Sequence, residues 1–308
     1  MKIYITYTKD SFKEEQINNL ENTGEVIFLE DYFDLDKASY LKDSDEKILV
    51  VDPDWYDWNL DEKHLKKVEN LKAVCLSTTA YDWIDLEYCK KNKIVVTNIP
   101  KYSTDSVAEY AVFLMMCLAR KFPIQLKNDY KTEYSVSMLN TEVRNKTVGI
   151  IGLGTIGIRI AEMCQGLGMN VIYWNRTKKE NNYKAVDLET IFTTADFVIP
   201  AFSTNNETKK IITDELINKM FGNFFINIIN NPEEIYNHKL LIERAEKEEI
   251  GYAFEIYGNG KKIYEYKGNI MATAPYAFYT KEAIERLIEI WCQNVIAITS
   301  GKPQNKIS

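Results

Sequence analysis

The residues whose spacing most clearly implies chemistry are Gly152-Leu153-Gly154-Thr155-Ile156-Gly157. They follow a short apolar stretch, Thr147 to Ile151, and open a helical run, Ile158 to Leu167, before another strand-like segment begins at Asn170. In that setting the first glycine makes a tight turn, and the second lets the backbone approach a pyrophosphate. The third allows the helix to pack close to the strand. The phosphates meet the free N–H groups and positive end of the helix, with Thr155 and Ile156 in its first turn. The loop therefore predicts a bound NAD or NADP. Selectivity between the two is set at the end of the following strand, where an acid usually accepts hydrogen bonds from the adenosine ribose. Here the chain reads Tyr173-Trp174-Asn175-Arg176-Thr177, with no acid. A carboxylate would repel a 2′-phosphate, whereas Arg176 can pair with it bidentately and Asn175 and Thr177 can donate to it. The expectation is NADP in preference to NAD.

Other chemistry-bearing residues are sparse. The five cysteines, at 75, 89, 117, 164 and 292, form no CxxC pair and sit in apolar surroundings. They read as buried thiols in a reducing compartment, with neither a disulfide framework nor a metal site. The net charge of -7 over 308 residues argues against a nucleic-acid-binding surface, which needs clustered positive charge. The N-terminus reads as a strand, not as a signal peptide. The apolar run Ala111 to Ala119 is roughly half the length needed to span a bilayer. A cytoplasmic protein with no membrane or nucleic-acid partner is expected.

The elements that must position these groups alternate along the chain. Strands are expected at Lys2 to Tyr7, Glu25 to Leu29, Lys47 to Val51, Lys72 to Ser77 and Ile94 to Thr97, with helices at Glu14 to Thr23 and Asp61 to Asn70. A long helix, Asp105 to Arg120, is apolar on nearly every face and is expected to be buried between domains or subunits. A second series of strands follows at Thr147 to Ile151, Asn170 to Trp174, Phe197 to Pro200, Phe224 to Ile229, Gly251 to Ile256 and Asn269 to Thr273. This rhythm predicts an α/β protein of two doubly wound, Rossmann-like parallel-sheet domains. The first is discontinuous, residues 1–100 plus 282–308, because the final helix, Lys281 to Thr299, returns to it. Residues 101–281 form the NAD(P)-binding domain.

Several segments together resemble the D-2-hydroxyacid dehydrogenase family over nearly the whole chain. Thr79-Ala80-Tyr81-Asp82-Trp83-Ile84-Asp85 resembles the family's G-Y-D-x-I-D, and Ser103 to Glu109 resembles the start of its interdomain helix. Glu207-Thr208-Lys209-Lys210-Ile211-Ile212 is similar to the segment after its P-L-T loop. Asn269 to Thr280 resembles N-V-x-x-T-P-H-I-A-x-x-T, and Asn294 through Pro303 resembles its ending. The resemblance implies a substrate domain of flavodoxin-like form, a homodimer, and hydride transfer between a nicotinamide and a 2-oxo or 2-hydroxy acid. It adds Thr104, Thr208 and Glu255 to the expected cofactor contacts. It also implies an Arg for the substrate carboxylate, a His that exchanges the proton, and a Glu that holds the His.

Those three positions hold other residues. Asn230 stands where I-N-T-x-R-G carries its Arg, Gly260 where the Glu is expected, and Pro275 where T-P-H-I-A carries its His. Glu255 replaces the Asp of L-D-V, and Ala80 replaces the Gly before Tyr-Asp. The two histidines, His64 and His238, lie outside the catalytic segment, and no Arg occurs between Arg176 and Arg244. Glu265 could fold back to replace the Glu.

Two classes of function remain. One is an oxidoreductase acting on a small carbonyl, hydroxy or imine compound that is uncharged or cationic. In it Tyr276 serves as proton donor, Asn230 lies at the substrate, and Lys101 or Tyr102 serves as an anchor. The other is a catalytically inactive NAD(P)-binding sensor, scaffold or partner subunit.

Overall fold

The computed structural model describes residues 1–29, 38–177, 180–205, 207–229, 232–256 and 260–308. The chain divides into two units, Met1–Ser103 with Lys281–Ser308, and Thr104–Thr280.

The first unit is a parallel sheet of β1 (Lys2–Ile5), β2 (Glu25–Phe28), β3 (Lys47–Val51), β4 (Leu71–Leu76) and β5 (Val95–Thr97), in the order β2-β1-β3-β4-β5. β3 is buried along its length, as a central strand covered on both faces must be. On one face, Ile3, Ile5, Ile48 and Val50 pack with Leu20 of α1 (Glu14–Glu21) and with Leu287, Trp291 and Val295 of the C-terminal helix, Lys281–Thr299. On the other face, Tyr4, Leu49 and Val74 pack with Leu65 of α2 (Glu62–Leu65) and Cys89 of α3 (Leu86–Lys91). Trp291 is fully buried and donates its Nε1–H to the Cys75 carbonyl at 2.9 Å, fixing the C-terminal helix to β4. The discontinuous construction expected from the sequence is thus present. The helix expected over Asp61 to Asn70 is shorter than its polarity pattern suggested, a single turn capped by Asp61.

The second unit carries a parallel sheet of β6 (Thr147–Ile151), β7 (Asn170–Trp174), β8 (Lys184–Ala185), β9 (Phe197–Pro200), β10 (Phe224–Ile226), β11 (Gly251–Glu255) and β12 (Ile270–Thr273). Its order is β12-β11-β10-β9-β6-β7-β8. One face is covered by α4 (Thr104–Ala119) and α6 (Thr155–Gly166), followed along its edge by α5 (Phe122–Lys127). The other is covered by α7 (Leu188–Thr194), α8 (Asp214–Asn218) and α9 (His238–Glu246). The all-apolar character of α4 has a local cause: Ala108, Ala111, Leu114, Met115 and Leu118 enter this unit's own core, and Asp105 pairs with Arg159 of α6 at 2.7 Å. Phe113 remains 48% exposed. β10 ends three residues earlier than expected. At Asn227 the side chain donates to the Ile229 carbonyl (2.8 Å) and accepts from its N–H (3.3 Å), a local turn that competes with the strand ladder.

Candidate functional site

In the second unit the strand order reverses at β6: β7 and β8 extend to one side, β9 through β12 to the other. The crevice outside the carboxyl ends of the strands at such a reversal is where open parallel sheets receive ligands. Residues 152–157 leave β6 at this point. Gly152 has φ of 98°, a conformation that glycine adopts freely, and its N–H donates to the Trp174 carbonyl at 2.8 Å. A Cβ on Gly157 would collide with the Gly152 carbonyl, so glycine there lets α6 sit against the loop. At Gly154 the opposite holds: a Cβ would meet nothing within 4 Å. This residue N-caps α6 with no side-chain hydrogen bond, leaving the first-turn N–H groups, at Thr155 and Ile156, without a side-chain cap. An open approach to bare backbone at a helix N-terminus fits a dinucleotide pyrophosphate.

Asn175, at the end of β7, serves the loop itself. Its Oδ1 accepts from the Leu153 N–H (3.2 Å) and its Nδ2 donates to the Thr177 carbonyl (2.6 Å), which couples the end of β7 to the loop after β6. Arg176 and Thr177 are exposed. Arg176 forms an ion pair with Glu207, from the loop that follows β9 on the opposite side of β6. Thr208 is turned into that same loop, with its Oγ1 donating to the Ser203 carbonyl at 3.0 Å and accepting from the Asn205 N–H at 2.8 Å.

A second group of residues gathers at the ends of β11 and β12. Glu255 is 8% exposed, and its Oε1 accepts from the Ala277 N–H at 2.8 Å. Ser106 of α4 donates to the Ala277 carbonyl at 2.6 Å, and the Tyr110 hydroxyl lies 3.5 Å from the Ala274 carbonyl. Residues 274–277 are therefore clamped from two elements. From this segment Tyr276 projects outward, 62% exposed, its ring 6.1 Å from that of Tyr279. Thr104 opens α4, two residues before the Ser106 clamp.

The sequence profile described as the D-isomer specific 2-hydroxyacid dehydrogenase, NAD binding domain, matches residues 112–255, which lie within this second unit. The likeness extends beyond that domain. A glyoxylate reductase of Pyrococcus furiosus is 27% identical over 328 residues, covering 98% of this chain and 93% of its own. A 2-hydroxyacid dehydrogenase homolog of Zymomonas mobilis is 26% identical over 308 residues, 90% of each chain. Over its whole length the chain is similar to D-isomer specific 2-hydroxyacid dehydrogenases. The second unit thus carries a match to that family's NAD binding domain, which supports a nicotinamide cofactor. Among solved structures, an acyclic imino acid reductase in complex with NADPH and D-Arg is 26% identical and superposes with a TM-score of 0.84 over all of both chains.

Asn230 lies outside the described residues, as do 257–259 just before the exposed Gly260. Glu265 caps its own short turn, accepting from the Lys262 N–H at 2.6 Å. His238 is partly buried, with Nδ1 2.7 Å from the Tyr252 hydroxyl and its ring against Phe254; burial holds its pKa below the ordinary value. His64 pairs with Asp61 in the first unit at 2.9 Å. Tyr102 is 8% exposed, and burial pushes its hydroxyl up to about 12. Lys101 adopts a left-handed φ of 63°.

All five cysteines are buried, and burial pushes Cys75, Cys89, Cys164 and Cys292 up to about 12, which leaves them thiols at neutral pH. No group of metal-ligating side chains occurs among the described residues, and no described helix is long and apolar enough to cross a membrane. Sequence reasoning missed Ser106 and Tyr110, which clamp residues 274–277, and Glu207 as the partner of Arg176. Glu207 was visible in a family-like segment, but nothing in the spacing tied it to a residue 31 positions earlier.

Proposed function

We propose that this chain is an NADPH-preferring oxidoreductase that interconverts an imine and the corresponding amine without the family's Arg, Glu and His. The observation that carries this reading is the pair of replacements Asn230 and Pro275, in a chain that otherwise keeps the family's fold and phosphate loop. Reduction of a carbonyl develops charge on oxygen and needs a proton donor poised near neutral pH. An imine nitrogen is far more basic than a carbonyl oxygen, so it can enter already protonated, and the demand for a histidine falls. The product is a cationic amine, for which an arginine would be the wrong neighbour. When bound, the nicotinamide supplies a hydride to the imine carbon and is itself oxidised; the nitrogen holds the proton. Tyr276, on its clamped segment, is the group assigned to proton exchange with that nitrogen. The similarity to an imino acid reductase that binds NADPH supports the reading.

The preference for NADPH rests on Arg176. Arg176 is paired with Glu207, and a 2′-phosphate would replace that carboxylate as its partner. Gly152, Gly154, Thr155, Ile156 and Gly157 are assigned to the pyrophosphate. Asn175 and Thr208 hold the two loops that frame it, with Thr104 and Glu255 nearer the nicotinamide end. We also place the protein in the cytoplasm, where five buried thiols stay reduced, and as a homodimer. Tyr134 is fully exposed, Val136 84% and Leu139 67%, an apolar arm between α5 and β6 that suits a second copy of the chain.

One observation favours the inactive NAD(P)-binding alternative: Tyr276, the assigned proton-exchanging group, is 62% exposed to solvent. The test is absorbance of NADPH on incubation with a panel of oxo acids, aldehydes and imines. Consumption with imines supports the proposal. Tight NADPH binding with no consumption across the panel supports the sensor, scaffold or partner-subunit reading.

A further inference from the structure

The first unit has a strand-order reversal of its own. β1 has β2 on one side and β3 on the other, so the crevice at the carboxyl ends of β1 and β3 is a ligand position by the same rule that places the phosphate loop. Three polar residues immediately follow the strands there: Thr6 after β1, Asp52 after β3 and Ser77 after β4. Thr6 and Ser77 are buried, and Asp52 is partly buried, still reached by solvent. The Asp52 N–H donates to Thr6 Oγ1 at 3.0 Å, Ser77 Oγ donates to Asp52 Oδ2 at 2.9 Å, and the Asp54 N–H donates to Asp52 Oδ1 at 3.1 Å.

Among the described residues no lysine, arginine or histidine pairs with Asp52. Arg286 directs its Nε to the Tyr102 carbonyl at 2.8 Å instead. Tyr102 and Tyr7 stand close enough that Asp52 and Tyr7 both oppose ionisation of the Tyr102 hydroxyl. Burial, the largest influence, pushes the Asp52 carboxyl above the usual carboxylate range. Capping the short helical turn Pro53–Tyr56 does not explain the charge, because Asn or Ser would cap as well without burying one. A sequestered carboxylate with spare lone pairs and no counter-ion is unfavourable until a cation completes it.

We propose that Asp52, supported by Ser77 and Thr6, is a subsite for a cationic nitrogen group of the substrate, a guanidinium, ammonium or iminium. The proposal rests on the oxidoreductase reading above and names the substrate's charge.

The test is calorimetric titration of the full chain, with NADPH present, using arginine and its neutral urea counterpart citrulline as probes. Arginine should bind on the order of tenfold or more tighter than citrulline, the size of one charge-assisted pair. Asp52→Asn keeps the side-chain shape and the acceptor for the Asp54 N–H, with the Ser77 hydroxyl turning to accept from the new amide; a thermal melt checks the fold, and the variant should abolish the preference while leaving citrulline unchanged. Equal affinity for the two probes in the native chain, binding of neither at millimolar concentration, or a preference that survives Asp52→Asn would each overturn the subsite. NADPH consumption is followed separately with the substrate panel. A retained arginine preference without any consumption would leave the subsite standing and contradict the oxidoreductase reading.

Discussion

Arg176 is the residue on which the proposed cofactor choice turns, and its exposure makes it testable without disturbing the core. Its side chain is 61% exposed and its partner Glu207 67%, so the pair contributes little to stability. Arg176→Ala should therefore leave the thermal midpoint unchanged. NADPH affinity should fall about tenfold to a hundredfold, the usual worth of a charge-assisted contact, while NADH affinity stays the same. Fluorescence titration of the two cofactors reads this directly; an equal loss for both would remove Arg176 from the 2′-phosphate site. Tyr276→Phe tests the other residue-level assignment. Loss of a proton-exchanging hydroxyl should lower kcat about a hundredfold with cofactor affinity intact. An unchanged kcat would return Tyr276 to the surface aromatics beside Tyr279.

Residue identity was legible in the sequence where the backbone alone does the work, and less so where partners come from afar. The glycines could be read because a turn, an open approach and a close packing contact each demand a missing Cβ. The roles of Glu255 and Asp52 could not. Glu255 is explained by a hydrogen bond to Ala277, 22 positions on, and Asp52 by a neighbourhood in which no described cation pairs with it, which only the folded chain reveals.

At the scale of elements, the strand–loop–helix unit β6–α6 separates binding from folding. Gly154 has open space where a Cβ would go, whereas Gly157 has the Gly152 carbonyl. Gly154→Ala should retain the native melting temperature and weaken NADPH binding on the order of tenfold or more, since the methyl occupies the pyrophosphate's approach. Gly157→Ala should lose stability by about 1–3 kcal/mol, because helix and loop must move apart. Differential scanning calorimetry beside a binding titration distinguishes the two. Identical behaviour would mean that the loop does not meet a ligand as assigned. Element types followed from the alternation of apolar runs with polar helices, and the long helix and the last helix were both anticipated. The ends were less readable: β10 stops at Ile226 because the Asn227 side chain captures the backbone of Ile229, a competition that propensity does not register.

At the scale of the whole molecule, two parallel sheets and a C-terminal helix that returns to the first unit were foreseeable from rhythm and order alone. Strand order was not, and it is strand order that puts Asp52 at a reversal point. Self-association also belongs here. The arm bearing Tyr134, Val136 and Leu139 exposes apolar side chains that a monomer would leave in water. Val136→Asp combined with Leu139→Asp should convert a dimer to monomers in sedimentation velocity, with each chain still folded; a native chain that sediments as a monomer would refute the assignment.

The proposed function turns on hydride transfer to an imine and not to a carbonyl. NADPH oxidation followed with a neutral aldehyde alone, and with the same aldehyde plus an excess of an amine that condenses with it, tests this most directly. The expected result is slow or no consumption with the aldehyde alone and clear consumption, with amine product formed, once the imine is present. Rapid consumption with the aldehyde alone, unaffected by the amine, would contradict it.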